Sequence, residues 1–296
     1  MDLDGGSIVK IIVGKNAGFC YGVKRAVDGT IQEIENDEDK KVYCLGELVH
    51  NKQVIENLEE KGIQTIENID EIKENNAKVI IRAHGVEKNI YKQAEEKGLK
   101  VIDYTCPNVL KIHKIVQDYR KQGYYIFLMG TQKHPEIMGI TSYCDNNYTL
   151  ITNEEDVENA IKDLIKTNTD KLLVISQTTY ATKKFEIIKN IIKEKVPSNI
   201  EIVIKNTICL ATETRQKETR ELSAKVDAMI IIGGKNSSNT KKLYEVALEN
   251  CKNTICVETK DEVDKKQYKD MNTIGIMAGA STPQKSIDEL VQYLDE

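Results

Sequence analysis

The stretch Val101-Ile102-Asp103-Tyr104-Thr105-Cys106-Pro107-Asn108-Val109-Leu110-Lys111-Ile112-His113 changes from a β-type pattern to a helical one at its cysteine. The β-branched and aromatic residues before Cys106 favour a strand. Pro107 suits the first turn of a helix, and Val109 and Ile112 recur at the spacing of one helix face. Cys106 is therefore expected at a helix N-terminus, where the dipole and the free N–H groups favour the thiolate. One such cysteine alone is better explained as a buried structural thiol.

The same setting recurs at Cys20 and Cys209, which indicates an internal repeat. Each repeat reads as four strand-then-helix modules. The predicted strands are 9–13, 41–45, 63–67 and 77–82 in the first repeat, 100–104, 124–129, 148–152 and 171–176 in the second, and 201–205, 228–232, 255–258 and 273–277 in the third. Helices are predicted to follow the strands, including 69–75, 87–97 and a last helix at 284–294.

Short β-branched strands that alternate with amphipathic helices are typical of parallel sheets with helices on both faces. The sequence therefore predicts an α/β fold of three pseudo-symmetric domains with mostly parallel sheets, in residues 8–99, 100–198 and 199–296. Ligands bind such sheets beyond the carboxyl ends of the strands. A triplicated unit should bring three equivalent strand ends, and with them Cys20, Cys106 and Cys209, to one central point.

Polar residues follow the second and the fourth strand of each repeat. They are His50, His134 and Ser237-Ser238-Asn239 after the second strands, and His84, Thr178 and Ser281 after the fourth. The counts support this register. His134 and Ser237 each follow their cysteine by 28 residues, and Thr178 and Ser281 by 72.

Composition limits the class of protein. Of 296 residues, 40% are hydrophobic and 30% are charged, as in an ordinary soluble globular protein. The longest apolar run, near 228–232, is too short to span a bilayer, and the chain opens with no signal-peptide pattern, so we expect a cytoplasmic protein. A net charge of −5 argues against nucleic-acid binding. The seven cysteines should then be reduced or bound to metal.

Three converging thiolates suit a soft metal centre. A structural zinc site closes with a fourth Cys or His, and close Cys-x-x-Cys pairs are absent. An iron–sulfur cluster with three protein thiolates leaves one iron open to a substrate. The other cysteines are expected to be small core or surface residues: Cys44, Cys144, Cys251 and Cys256.

Imidazoles, hydroxyls and amides at strand ends and helix starts suit an anion such as a diphosphate. Each serine or asparagine alone would equally serve as a helix N-cap. Glu136 is placed to complement a helix dipole or, beside a metal and an anion, to donate a proton, with Thr178 able to relay it. His113 is expected to pack or to lie in solvent.

At these residues the chain resembles the 4-hydroxy-3-methylbut-2-enyl diphosphate reductase family of the non-mevalonate isoprenoid route. The resemblance extends from about Ile11 to Ser281. It rests on Gly18-Phe19-Cys20, Val49-His50-Asn51, Ala83-His84-Gly85-Val86, Thr105-Cys106-Pro107, His134-Pro135-Glu136, Gln177-Thr178-Thr179, Ile208-Cys209, Lys235-Asn236-Ser237-Ser238-Asn239 and Ala278-Gly279-Ala280-Ser281.

The resemblance implies a trefoil of three α/β domains around a 4Fe-4S cluster held by Cys20, Cys106 and Cys209. It implies a two-electron, two-proton reductive dehydroxylation that yields isopentenyl and dimethylallyl diphosphate, with electrons from ferredoxin or flavodoxin. Glu136 would be the proton donor, working with Thr178. The implied substrate-binding residues are His50, His84, His134, Thr178, Ser237, Ser238, Asn239 and Ser281, and His134 would also take part in catalysis.

The chain departs from the family pattern at two places. Gly46 stands where relatives often have a histidine, and Gly130-Thr131-Gln132-Lys133 replaces a run of small residues. Two other functions stay open from the sequence: a non-catalytic iron–sulfur sensor that binds a diphosphate, and a zinc protein with a structural three-cysteine site.

Overall fold

The computed structural model describes residues 9–36 and 41–296; Ile8 and residues 37–40, which the first predicted domain includes, lie outside the described residues. The strands are β1 (Lys10–Val13), β2 (Val42–Leu45), β3 (Gln64–Ile66), β4 (Lys78–Ile81), β5 (Lys100–Asp103), β6 (Tyr125–Met129), β7 (Tyr148–Ile151), β8 (Lys171–Ser176), β9 (Glu201–Ile204), β10 (Ala228–Ile232), β11 (Thr254–Val257) and β12 (Thr273–Ala278).

The helices alternate with these strands. They are α1 (Tyr21–Glu35), α2 (Lys52–Glu60), α3 (Lys88–Glu96), α4 (Pro107–Arg120), α5 (Pro135–Thr141), α6 (Asp156–Lys166), α7 (Thr182–Lys195), α8 (Leu210–Ser223), α9 (Ser238–Leu248) and α10 (Gln284–Asp295). Every predicted strand is present with its ends within one residue of the prediction, and the α/β class is confirmed.

The helix predicted at 69–75 is wrong. Only a single 3₁₀ turn, Ile69–Glu71, forms there. Asn68 and Glu71 make reciprocal capping hydrogen bonds across this turn, and Asn76 adopts a left-handed φ of 61°. The turn ends at Ile72, which has an extended backbone and donates its N–H to the Ile69 carbonyl. The third repeat has short 3₁₀ turns at the same place, Lys260–Glu262 and Lys265–Tyr268.

Three four-stranded parallel sheets share one strand order. The first sheet is β3-β2-β4-β5, the second is β7-β6-β8-β9 and the third is β11-β10-β12-β1. Each sheet thus takes the second, third and fourth strands of one repeat and the first strand of the next. The sheets are therefore offset by one strand from the sequence repeat, because short βαβ connections such as β4-α3-β5 place the new strand beside the last one. The three predicted domain ranges and the trefoil arrangement stay predictions.

The chain separates into two compact units. Unit I comprises Met1–Tyr21, of which only residues from 9 onward are described, with His50–Val54 and Leu210–Glu296. It holds the third sheet. Unit II comprises Gly22–Val49 and Ile55–Cys209, of which residues 37–40 are not described, and holds the first and second sheets.

The central strands form the core within each unit. Every residue of β6 and of β10 is buried, as expected for parallel strands with helices on both faces. In unit II one face of the second sheet packs Phe127 and Val174 against Phe185. In unit I the third sheet packs Ile230 and Ile276 on one face. Within the described ranges, no helix has both the length and the apolar character required of a membrane span.

Candidate functional site at the strand ends

The loops after the second strands share one backbone register. In each sheet a glycine donates its N–H to the last residue of the third strand: Gly46 to Ile66 (2.7 Å), Gly130 to Ile151 (3.1 Å) and Gly233 to Val257 (2.9 Å). The residues four positions after these glycines are His50, His134 and Ser237. These three predicted site residues therefore occupy equivalent places in the repeat, which the matching counts in the sequence had indicated for His134 and Ser237.

The loops that carry the cysteines share a second register. In each sheet the cysteine N–H donates to a carbonyl that follows the fourth strand: Cys20 to Ala280 (3.1 Å), Cys106 to Ala83 (3.0 Å) and Cys209 to Thr178 (2.9 Å). Thr178 is therefore equivalent to Ala83 and Ala280, one residue earlier than the sequence counts had placed it. The residue counts in the sequence did not reveal this shift, because the third repeat is one residue shorter than the second between its cysteine and this position.

Glu136 and Thr178 form a buried pair in unit II. Glu136 lies in the first turn of α5 and is 1% exposed. The Thr178 N–H donates to Oε1 and the Thr178 hydroxyl donates to Oε2, each at 2.7 Å. Burial raises the pKa of Glu136 to about 7, although both Thr178 hydrogen bonds act to lower it. The second sheet alone has this pair, because the residues equivalent to Thr178 in the other sheets are alanines.

His134 caps the helix that carries Glu136. Its Nδ1 accepts the Glu136 N–H at 3.2 Å, so the proton of a neutral His134 ring lies on Nε2. The ring of His84 lies edge to face with that of His134, with centroids 5.5 Å apart. Unit II therefore brings two imidazoles together beside a carboxyl group whose pKa is about 7.

Unit I brings together the hydroxyl and amide groups of the third sheet. The Ser281 hydroxyl donates to the His50 carbonyl at 3.1 Å. Ser237 is the N-cap of α9 and its hydroxyl accepts the Thr240 N–H at 3.3 Å. A side chain at Gly234 would meet the His50 carbonyl, because a Cβ built there lies 2.3 Å from that oxygen.

The side chain of Asn239 is buried without a hydrogen-bond partner among the described residues. It occupies the place in the third sheet that Glu136 has in the second, and it is 4% exposed. Neither its Oδ1 nor its Nδ2 has a hydrogen-bond partner among the described residues. Ala280, the equivalent of Thr178, offers no side-chain donor here. A buried amide without partners is costly, so this group suits a polar ligand.

Cys20, Cys106 and Cys209 differ from most of the other cysteines in exposure. These three are half-buried, whereas Cys44, Cys144 and Cys251 are buried. Burial raises the pKa of both Cys44 and Cys144 to about 12, which keeps these thiols protonated. Cys256 is half-buried within β11, and burial raises the pKa of its thiol. The structural role predicted for the other four cysteines is consistent with these positions.

Two arginines, which the sequence analysis did not single out, hold the loops that carry cysteines. In unit II, Arg25 donates to the carbonyls of Thr105 (3.1 Å) and Asp103 (3.2 Å), just before Cys106. In unit I, Arg215 donates to the Gly18 carbonyl at 2.7 Å, two residues before Cys20. The signal in the sequence was a basic residue five or six positions after Cys20 and Cys209.

His113 has a packing role, which is one of the two roles that the sequence predicted for it. It is 3% exposed on α4, and its ring lies 4.7 Å from the ring of Tyr143. Burial lowers the pKa of His113 to about 4, so its ring is neutral at physiological pH.

The side chain of Arg82 explains why position 46 is occupied by glycine. Gly46 has a φ of 71°, a backbone angle that residues other than glycine rarely adopt. A Cβ at this position would lie 2.0 Å from Nη1 of Arg82. The guanidinium therefore fills the space that a side chain at position 46 would need.

We expect Gly46→Ala to lower the free energy of unfolding by about 1 to 3 kcal/mol, because it combines a left-handed backbone with displacement of Arg82. Urea denaturation measures this difference. Gly98→Ala is the matched control, since Gly98 has a similar φ of 64° with no atom within 4 Å of its Cβ position. An equal loss in both variants would mean that Arg82 contributes nothing.

The comparisons with known proteins agree with this geometry. Residues 11–295 match the family model of the LytB protein. A protein of Clostridioides difficile named 4-hydroxy-3-methylbut-2-enyl diphosphate reductase is 45% identical over 287 residues, which cover 97% of this chain and 99% of the relative. A protein of the same name from Caldanaerobacter subterraneus is 41% identical over 97% of this chain and 96% of its own length.

Two solved structures are similar. The E-1-hydroxy-2-methyl-but-2-enyl-4-diphosphate reductase of Plasmodium falciparum matches with a TM-score of 0.88 and 30% identity, over 97% of this chain and 88% of that one. A structure of (E)-4-hydroxy-3-methyl-but-2-enyl diphosphate reductase matches with a TM-score of 0.69 and 36% identity, over 96% and 98%. The resemblance inferred from the motifs is confirmed, and the chain belongs to the LytB protein family.

Proposed function

We propose that this chain catalyses the reductive dehydroxylation of 4-hydroxy-3-methylbut-2-enyl diphosphate. The reaction takes up two electrons and two protons, releases water and yields isopentenyl and dimethylallyl diphosphate. The names of the relatives support the activity. The observation that carries the mechanism is the buried Glu136–Thr178 pair, since its carboxyl has a pKa of about 7 and lies at the strand ends where ligands of such sheets bind.

A 4Fe-4S cluster bound by Cys20, Cys106 and Cys209 is part of this proposal. The three thiols follow equivalent strands, and their N–H groups make equivalent hydrogen bonds. All three residues are half-buried. Gly22 leaves space beside one of them, because a Cβ there would lie 2.7 Å from the Cys106 Sγ. These features fit the group, which when bound supplies the electrons and an open iron that acts as a Lewis acid.

The substrate's diphosphate would be bound by His50, His84, His134, Ser237, Ser238, Asn239 and Ser281. Imidazole, hydroxyl and amide donors at helix starts suit phosphate oxygens. The side-chain amide of Asn239 supports this assignment best, because it is buried and has no partner in the part of the chain that the structure describes. We propose ferredoxin or flavodoxin as the electron donor.

The proposed role of Glu136 is to donate the proton that the product carbon receives. The hydroxyl of Thr178 is both a donor and an acceptor, so it can turn to relay this proton or to hold the substrate hydroxyl. The hydrogen bond from the Glu136 N–H to the His134 Nδ1 fixes the position of the imidazole relative to the helix that carries the acid. A sensor that only binds a diphosphate needs no buried acid of this kind, which favours an enzyme.

Turnover should fall as pH rises through about 7, because Glu136 then loses the proton that it donates. A pH profile of kcat measures this, and the residual activity of Glu136→Gln should lack the transition. The folded pKa of about 7 lies above the ordinary value of 4.5. The contribution of Glu136 protonation to the free energy of unfolding is therefore complete below about pH 4.5, and it is lost as the pH rises through about 7. A kcat that increases through pH 7 would contradict the role of Glu136.

The proposal is tested on protein purified without oxygen. Iron and acid-labile sulfide should be present, and the hydroxylated diphosphate should be converted to the two isomers with a chemical reductant. Stoichiometric zinc without sulfide would instead establish the three-cysteine zinc protein. A cluster with diphosphate binding but no turnover would establish the sensor.

A further inference from the structure

Asn108 contacts the sulfur of a proposed cluster ligand. It lies in the first turn of α4, two residues after Cys106, and its Nδ2 donates to the Cys209 Sγ at 3.1 Å. Both residues belong to unit II. The contact joins residues 101 positions apart in the chain, so the fold creates it and the local sequence does not.

The repeat gives this contact a defined place. Gly22 lies two residues after Cys20, and a Cβ built on it would be 2.7 Å from the Cys106 Sγ. The residue two positions after one cysteine thus faces the cysteine of the next repeat in both cases. The third residue at this position is Ala211. Among Gly22, Asn108 and Ala211, only Asn108 has a side-chain N–H to donate.

We propose that Asn108 is a positioning residue that raises the reduction potential of the cluster by donating a hydrogen bond to the Cys209 sulfur. The inference rests on the proposed function, in which Cys209 is a ligand. A hydrogen bond to a ligating sulfur stabilises the more negative, reduced state more than the oxidised one. Because the equivalent positions lack a donor, the three thiolates differ in charge stabilisation, and the one from Cys209 is stabilised most by these side chains.

The test is a redox titration, followed by electron paramagnetic resonance, of anaerobically prepared wild type and Asn108→Leu. Leucine keeps the branched shape of the side chain and removes the donor. At a fixed potential near the midpoint, we expect the ratio of reduced to oxidised cluster to fall about tenfold, which is about 59 mV for a one-electron couple. Gln122→Leu is the matched control, because it makes the same amide-to-aliphatic change on an exposed residue just beyond α4.

A second readout reports the bond itself. With an isotope label on the asparagine side-chain nitrogen, pulsed measurements on the reduced cluster should detect a coupling to nitrogen that Asn108→Leu lacks. Equal potentials and equal couplings in the two proteins would overturn the inference.

Iron and sulfide contents of the same samples separate this inference from the proposed function. A wild type without a cluster overturns both, whereas a loaded wild type and a loaded variant with one common potential overturn only the role of Asn108. If Asn108→Leu does not load, Asn108→Ala takes its place in the titration. Failure of both variants to load would overturn potential tuning, because Asn108 would then be required for assembly.

Discussion

Replacing Glu136 by glutamine is expected to lower turnover by about 10²-fold or more while substrate binding and iron content stay at the wild-type level. General acid catalysis contributes about 10² to 10⁴ in rate, and glutamine keeps the shape of the side chain without its acidic proton. The Thr178 N–H can still donate to the amide oxygen, and the Thr178 hydroxyl can accept from the amide NH₂, so the site should keep its geometry. Steady-state turnover, with binding measured by calorimetry, checks this result.

Glu155→Gln is the matched control for this change. Glu155 is exposed, its side chain makes no capping bond at the start of α6, and it lies outside the proposed site. Its variant should turn over as the wild type does. Wild-type turnover in Glu136→Gln would exclude Glu136 as the acid, whereas loss of binding in that variant would show that its carboxyl contacts the substrate instead.

Cys106→Ser is expected to abolish turnover and to remove most of the bound iron and sulfide. Serine is a weak ligand for iron because its hydroxyl is rarely ionised, whereas soft thiolates are the ligands that iron–sulfur clusters use. The backbone bond from residue 106 to the Ala83 carbonyl does not involve the side chain, so the fold should persist. Iron and sulfide analysis, visible absorption and circular dichroism together measure these effects.

Cys256→Ser is the control for that experiment. Cys256 is also half-buried, but it lies within β11 rather than in a loop after a strand, and it is not among the proposed cluster ligands. Its variant should keep the cluster and its activity. A Cys106→Ser protein with full iron, sulfide and turnover would contradict the proposed ligand set.

The sequence predicted the strands well because their patterns are local. Runs such as β6 and β10 are apolar throughout and bounded by polar residues, so their ends lie within one residue of the prediction. The sequence did not predict which strands pair across a repeat boundary. The position of β5 beside β4 depends on how α3 packs, and local patterns do not contain that information. The failed helix at 69–75 had a suitable apolar spacing, but the backbone becomes extended at Ile72 after a single turn.

The residue types of the candidate site could be predicted, whereas its bonds could not. The positions of Glu136 and Thr178 after strands identified both residues from the sequence. The structure adds their two hydrogen bonds and the burial of Glu136, which a role in complementing the helix dipole would not require. The one-residue shift of Thr178 was hidden because loop lengths differ between repeats. Arg25 and Asn108 act across the fold, on residues about 80 and 101 positions away, and no periodicity reveals such contacts.

The central claim is that this chain reductively removes the hydroxyl of an allylic diphosphate with a proton delivered to carbon inside the site. The most direct measurement is anaerobic turnover of 4-hydroxy-3-methylbut-2-enyl diphosphate in deuterated water with a chemical reductant. We predict two electrons consumed per product and a mixture of isopentenyl and dimethylallyl diphosphate, each with one solvent-derived deuterium on carbon. Recovery of unchanged substrate from protein that holds its full cluster would contradict the account.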